Sequence, residues 1–181
     1  MQHHDKKSRE NKASFDMAAA ATKRLRAEER AIQRSGGEAD IALWPTDPSD
    51  MKLWTGFIRG PTDTPYAGGV FELAIKVGPQ YPVVPPAIAF VTKVFHPNVL
   101  FRTGEICLDI LKAEWSPAWG LQSACRAIVA LLADPQADSP LNCDAGNMIR
   151  AGDTLAFHSM AAMYTLEEAA RTPWPTPPQH A

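Results

Sequence analysis

The sequence has only three cysteines in 181 residues, Cys107, Cys125 and Cys143, and they are widely separated. They lack the close pairs typical of structural zinc sites and are too few for a disulfide framework in a chain of this length. The formal net charge is only -2 at pH 7, so the chain has no basic excess to attract nucleic acid. We therefore expect no metal centre, no disulfide scaffold and no nucleic-acid binding.

Long hydrophobic runs are also missing. The longest mostly apolar stretch, residues 124–133, is interrupted by Arg126 and is about half the length of a membrane-spanning helix. The amino terminus lacks the apolar stretch of a secretory signal, and no G-x-x-x-x-G-K-[ST] phosphate loop occurs. These absences predict a protein of a reducing compartment that does not insert into a membrane.

The residues that are present predict one folded α+β domain. Hydrophobic residues make up 45% of the chain, enough for a single sizeable core. Helical patterns cover residues 15–34, 121–133, 144–151 and 153–170, with an Asp suited to capping at the start of each of the last two. Between the first two helices, an antiparallel meander is predicted from strands at 41–44, 53–59, 70–77 and 87–91. We expect a flexible segment at 1–14, a domain at 15–170 and a Pro-rich tail at 171–181.

The first helix combines an apolar face with an excess of positive charge. Between positions 22 and 34, five cations face only two acids. Such a basic surface is either a solvated helix face or a docking site for a partner. The apolar residues expected to face the core are Phe15, Ala18, Ala21, Leu25 and Ile32.

Residues 92–120 show no sustained helical or strand period, and a long irregular segment in a compact domain is usually functional. Cys107 lies in this segment, where a loop can expose a reactive thiol. Cys125 instead falls on the apolar face of the helix predicted at 121–133, which favours a buried, inert thiol. Cys107 is therefore the candidate nucleophile, while Cys143 is either inert or redox-sensitive.

Two polar residues precede Cys107 in the motif His96-Pro97-Asn98. The amide of Asn98 can stabilise an oxyanion or brace the loop, and the sequence leaves both roles open. A Cys–His protease dyad with His96 is disfavoured, because a proline follows the histidine and no separate His/Asn pair stands far downstream. We expect a structural role for His96.

The chain resembles the ubiquitin-conjugating (E2) enzyme family in His96-Pro97-Asn98, in the run Gly-x-Ile-Cys-Leu-Asp-Ile-Leu that begins at Gly104, and in Trp115-Ser116-Pro117. Tyr81-Pro82 and Tyr66-Ala67-Gly68-Gly69 extend the resemblance, which covers roughly residues 21–170. It implies the ubiquitin-conjugating (UBC) fold, with an N-terminal helix, a four-stranded meander, a long active-site loop and C-terminal helices.

The resemblance also implies a chemistry. Cys107 would accept ubiquitin from an activating enzyme (E1) as a thioester and pass it to an acceptor, without a metal or cofactor, since ATP is consumed upstream. Asp109 lies where relatives place an acid near the incoming amine, although it equally suits a turn. The basic first helix, with Lys23, Arg24 and Arg26, would meet the activating enzyme.

Three departures from the family pattern affect the expected partners and acceptor. Ser139 replaces an acid that assists a lysine acceptor in many relatives, which favours a cysteine acceptor unless Asp138 substitutes. Lys112 replaces an Arg that bridges to the ligase and ubiquitin, and lysine lacks the planar guanidinium fork. Val83 replaces a Phe of the surface that contacts a RING-type ligase, which leaves Ser116, Pro117 and Ala118 as the remaining contacts.

Within the family, the pattern is most similar to the peroxisomal branch, which acts in recycling import receptors. The spacing from Asn98 to Cys107 and the run Asp138-Ser139-Pro140-Leu141 carry this resemblance. It implies an import receptor as substrate and a membrane-anchored partner that recruits a cytoplasmic protein to the cytosolic face of the peroxisomal membrane. The alternatives are another substrate, a ubiquitin-like modifier, or a catalytically silent scaffold that binds ubiquitin or a ligase.

Overall fold

The computed structural model describes residues 2–106 and 115–178. A long helix comes first, followed by four strands and then a group of shorter helices, which confirms the predicted α+β order. The elements are α1 (Gln2–Ser35), β1 (Ile41–Asp47), β2 (Asp50–Arg59), β3 (Val70–Lys76), β4 (Ala87–Phe90), α2 (Leu121–Ala133), α3 (Cys143–Arg150) and α4 (Thr154–Tyr164), continued by a π-helical segment at Thr165–Ala169.

The four strands form one antiparallel sheet in the order β1-β2-β3-β4. Trp54 pairs with Ile75 across β2 and β3, and Ile75 pairs with Ile88 across β3 and β4. All three side chains are buried on the inner face of the sheet. Pro45 lies in the edge strand β1, and the pairing with β2 shifts register just after it. An edge strand tolerates proline because one side of its backbone has no ladder partner.

Helix α2 supplies the second half of the core and packs against β1 and β2. The four residues predicted to face inward, Leu121, Cys125, Ile128 and Leu132, are all at most 2% exposed. Burying a large aliphatic side chain of this kind contributes about 1.5–3 kcal/mol. The helix bounds and the buried face of α2 therefore agree with the prediction.

Helix α1 differs from the prediction in its start and in part of its apolar face. It begins at Gln2 rather than at residue 15, and Phe15 is 74% exposed, so the predicted core position of Phe15 is wrong. Ala21 and Leu25 are buried as expected. Residues 14–17 are exposed, so α1 packs against the hydrophobic core only beyond residue 17. The flexibility of residues 1–14 stays a prediction.

The helices α3 and α4 begin at different kinds of cap. The side chain of Asp153 accepts a hydrogen bond from the N–H of Ala156 at 3.0 Å and caps α4, as predicted. Helix α3 is capped instead by Asn142, which accepts from the N–H of Ala145 at 3.3 Å. Asp144 lies within the first turn, so its predicted capping role is wrong.

Past α4, residues 173–178 adopt neither helix nor strand and lie against β1 and α1. The Cζ atom of Arg59 lies over the Trp174 ring, 4.2 Å from the ring centroid, which is a cation–π contact. Trp174, Pro177 and Pro178 line a cavity of about 340 Å³ together with the end of α1 and the edge of β1. Residues of the tail and of the edge strand β1 thus line one cavity.

Candidate active site

His96 is fully buried and makes contacts through both ring nitrogens. Its Nε2 lies 3.0 Å from the carbonyl oxygen of Leu131, and its Nδ1 accepts a hydrogen bond from the N–H of Asn98 at 3.1 Å. These partners require the neutral tautomer with the proton on Nε2. Burial lowers the pKa of His96 to about 4, which keeps the ring neutral. Its role is therefore structural, as predicted.

Asn98, only 1% exposed, pairs with the backbone of Gln136 in both directions. Its Nδ2 donates to the Gln136 carbonyl at 2.7 Å, and its Oδ1 accepts from the Gln136 N–H at 2.8 Å. One amide N–H remains beyond these two bonds. Of the two predicted roles, loop support is visible in this geometry, and the oxyanion role stays a prediction.

The loop at residues 134–142 is attached at three further points. The N–H groups of Leu141 and Asn142 both donate to the Pro97 carbonyl, at 2.8 and 3.0 Å. Arg150 of α3 donates to the carbonyl of Ala137 at 2.6 Å. We call residues 96–98 together with this loop the His96–Asn98 frame. Asp138 and Ser139 are exposed at its tip.

The frame connects directly to the residues that precede position 107. Val99 forms an antiparallel bridge with Ile106, and the N–H of Leu100 donates to the Glu105 carbonyl at 2.8 Å. Gly104, in the turn between them, has φ +73°, and a Cβ atom there would lie 1.8 Å from the carbonyl oxygen of Phe90. Only glycine fits this turn, which explains its place in the motif.

Cys107, Asp109 and Lys112 lie outside the described residues, so their predicted roles stay predictions. The two other cysteines differ in environment. Cys125 is fully buried, and burial raises the pKa of its thiol to about 12, which fits the predicted inert thiol. Cys143 is exposed at the start of α3.

The predicted ligase contacts come from two loops that the structure brings together. The indole Nε1 of Trp115 donates to the Pro82 carbonyl at 2.8 Å, which joins the loop carrying Val83 to residues 116–118. Val83 is 73% exposed, and its neighbour Val84 is also exposed. Pro117 and Ala118 are exposed, and Ser116 is half-buried. Sequence reasoning missed Val84 as part of this apolar surface.

The three cations predicted to meet the activating enzyme are not equally available. Lys23 is exposed. Arg24 donates to the carbonyls of Pro117 and Trp119 at 3.2 and 2.7 Å. Arg26 donates to the carbonyl of Pro48 at 3.1 Å. Both guanidinium groups are therefore engaged within the chain itself, which leaves Lys23 as the exposed cation of the three.

Within residues 2–106 and 115–178, no group of three or more His, Cys, Asp or Glu side chains is arranged to hold a metal ion. No helix in the described part of the chain has both the length and the apolar character needed to cross a bilayer.

The family model described as "Ubiquitin-conjugating enzyme" matches residues 24–165. "Protein PEROXIN-4" of Arabidopsis thaliana is 57% identical over 147 residues, which are 81% of this chain and 93% of that protein. "Ubiquitin-conjugating enzyme E2 pex4" of Dictyostelium discoideum is 57% identical over 78% of this chain and 95% of its own length.

A solved structure gives the same result for the fold. The ubiquitin-conjugating enzyme Pex4p of H. polymorpha, crystallised in complex with the soluble domain of Pex22p, is 37% identical to this chain. The two superpose with a TM-score of 0.77, over 83% of this chain and 98% of the solved one. The fold described above is thus the UBC fold.

Proposed function

This chain belongs to the ubiquitin-conjugating enzyme family, and we propose that it carries ubiquitin as a thioester on Cys107 and transfers it to a peroxisomal import receptor. The observation that carries this proposal is the 57% identity to Protein PEROXIN-4, which extends over 93% of that protein. Cys107 lies in the run from Gly104 to Leu111, and this run falls within residues 24–165, which the family model matches. Receptor recycling is the process we assign to this transfer.

In the proposed charging step, the Cys107 sulfur attacks the carbonyl carbon that joins ubiquitin to the activating enzyme. A new thioester forms, the old one breaks, and the activating enzyme's cysteine leaves with the proton that Cys107 gives up. One thioester replaces another, so the step is nearly balanced in free energy. An unperturbed thiol with a pKa near 8.5 is already a few per cent thiolate at pH 7.

The His96–Asn98 frame supports this step by fixing the chain next to the reacting sulfur. Its bonds hold residues 96–98 and 134–142 together, and the bridge from Val99 to Ile106 continues the fixed backbone to the residue before Cys107. Holding reacting groups in place is a major source of catalytic rate. Asn98 would thus act mainly by positioning, with its remaining N–H available to an oxyanion.

Cysteine is the acceptor that we propose for the transfer step. The frame presents Asp138 and Ser139 at its exposed tip, where many relatives use an acid to orient and deprotonate a lysine. A thiol is acidic enough to supply part of its own thiolate at neutral pH, so it needs that acid less than an amine does. Discharge at comparable rates to free lysine and free cysteine would contradict this acceptor preference.

The proposed partners follow from the family and from the solved relative. They are ubiquitin, its activating enzyme, a RING-type ligase at Val83 and residues 116–118, and a recruiting protein similar to Pex22p. A membrane-anchored partner of that kind would hold the protein on the cytosolic face of the peroxisome. The Pex4p structure in complex with the soluble domain of Pex22p supports this arrangement.

The proposal is tested by incubating the protein with ubiquitin, activating enzyme and ATP and running the products on non-reducing gels. The wild type should form an adduct that reductant removes, Cys107→Ala should form none, and Cys143→Ser should match the wild type. An undiminished adduct in Cys107→Ala would contradict the assignment of the nucleophile. No adduct in the wild type would favour a ubiquitin-like modifier or a silent scaffold, and repeating the reaction with other activating enzymes separates these two.

A further inference from the structure

We propose that Arg24 and Glu28 of α1 are positioning residues that hold residues 115–120 in the form that a RING-type ligase binds. This role presupposes the ubiquitin-carrier function proposed above, since it concerns the ligase-facing surface of the same enzyme. Residues 115–120 follow the segment that contains Cys107 and precede α2. We call Arg24, Glu28 and their partners in this segment the α1 clamp.

Glu28 binds three donors from three different parts of the chain. Its Oε1 accepts from the Nε of Arg24 at 2.6 Å and from the hydroxyl of Tyr81 at 2.7 Å. Its Oε2 accepts from the N–H of Leu121 at 2.8 Å. Leu121 is the first residue of α2, whose N-cap is Gly120 and has no side-chain cap of its own. A carboxylate from α1 thus caps α2, where negative charge is favourable.

Gly120 makes this close approach possible. A Cβ atom at position 120 would lie 2.7 Å from Oε2 of Glu28. The glycine therefore leaves the space that the carboxylate fills. The bond from Leu121 to this carboxylate holds the end of residues 115–120 against α1.

Arg24 holds the middle of the same segment. Its Nη1 and Nη2 donate to the carbonyls of Pro117 and Trp119, while its Nε pairs with Glu28. The planar fork of a guanidinium can reach two carbonyls and a carboxylate at once, which a lysine ammonium cannot do with the same geometry. Arg24 is committed to residues 115–120, so Lys23 is the cation of this turn left for the activating enzyme.

The clamp also fixes the relation between the two ligase-contact loops. Tyr81, which donates to Glu28, precedes the loop that carries Val83, and its ring lies 5.9 Å from that of Trp115. Trp115 in turn donates to the Pro82 carbonyl. One carboxylate therefore links α1 to both halves of the predicted ligase surface.

The substitution Glu28→Gln tests the clamp because it preserves the shape of the side chain. Both carboxylate oxygens face donors, so an amide in either orientation places its NH₂ group against a donor. We expect the indole N–H signals of Trp115 and Trp119 to shift in ¹H–¹⁵N spectra. The assay uses a RING domain that accelerates discharge of the ubiquitin thioester from the wild type. In the presence of that domain, the discharge rate of Glu28→Gln should be at least fivefold lower than that of the wild type. Charging by the activating enzyme and unstimulated discharge should stay within twofold.

A loss confined to RING-stimulated discharge separates a positioning role from a general loss of stability. A weakened fold would lower the rates of charging, unstimulated discharge and stimulated discharge together. Arg24→Lys should shift the same indole signals, and Tyr81→Phe, which removes one donor, should show a smaller loss of stimulation than Glu28→Gln. The matched control is Glu29→Gln, a neighbouring residue that pairs with Arg26, and it should leave the indole signals and the stimulation at wild-type values.

Unchanged indole signals in Glu28→Gln, or a stimulated rate within twofold of wild type, would overturn the proposal. Failure of the carrier function itself is distinguishable, because the wild type would then form no thioester. The indole signals would still show whether the clamp holds residues 115–120.

Discussion

The His96–Asn98 frame and the α1 clamp secure opposite ends of the segment around position 107, but they use different bonds. The two side chains at the centre of the frame, the imidazole of His96 and the amide of Asn98, are neutral and buried, and both bind backbone atoms. The clamp depends on an ion pair, and the Arg24 side chain is 33% exposed. Buried neutral hydrogen bonds resist salt, whereas exposed charges are screened. The buried neutral bonds thus lie beside Ile106, the residue before position 107, and the salt-sensitive ion pair lies beside the surface proposed for the ligase.

The largest expected effect comes from breaking the frame with Asn98→Ala. This change leaves the N–H and carbonyl of Gln136 without their partners, which should lower the free energy of unfolding by about 3 kcal/mol. Urea denaturation measures the loss. The control Gln136→Ala keeps both backbone atoms, so it should stay within about 0.5 kcal/mol of wild type. If Asn98→Ala slows discharge but keeps wild-type stability, Asn98 acts as an oxyanion donor rather than as a brace.

Acidification should weaken the frame by a smaller amount. The pKa of His96 is lowered to about 4 in the folded chain, so below pH 6.5 the unfolded chain binds a proton that the folded chain does not. This contribution is fully present above pH 6.5 and should fall by about 2 kcal/mol between pH 6.5 and 5.

Denaturation curves recorded across that pH range give the slope of the free energy of unfolding against pH. His96→Gln should remove this component, whereas His158→Gln, at an exposed position of α4, should leave it unchanged. An equal slope in wild type and His96→Gln would show that the buried imidazole is not its source.

Salt should weaken the α1 clamp, and the expected change in the free energy of unfolding is smaller than for Asn98→Ala or for acidification. Raising NaCl from 0.1 to 1 M screens the pair of Arg24 and Glu28, so the wild type should lose up to about 1 kcal/mol more than Glu28→Gln. The difference between their unfolding free energies at the two salt concentrations gives this value. A similar salt response in the two proteins would mean that the ion pair adds little to the clamp.

Much of the fold was predictable because local patterns coincide with tertiary packing. The period of α2 identified Leu121, Cys125, Ile128 and Leu132 as core residues, and short runs rich in β-branched and aromatic residues, separated by turn residues, yielded the meander. The prediction failed for Phe15, because a helical period does not reveal where a helix extends past the body of the domain.

The missed parts of the site involve partners that a sequence pattern does not identify. Asn98 binds the backbone of Gln136, and any residue except proline at 136 offers the same two atoms. Arg24 and Lys23 are adjacent cations with the same composition signal, yet only Arg24 turns toward residues 115–120. Long-range packing decides such contacts, so they emerged only with the structure.

The central claim, that ubiquitin is carried on Cys107, is tested most directly by mass spectrometry. The charged protein is treated with a thiol-alkylating reagent under denaturing conditions, digested, and the alkylation of each of the three cysteines is measured. We predict that Cys107 alone is protected while the adduct is present and becomes alkylated once reductant has released ubiquitin, with Cys125 and Cys143 modified in both samples. Protection of Cys143 in place of Cys107, or no protected cysteine in a charged sample, would contradict the account.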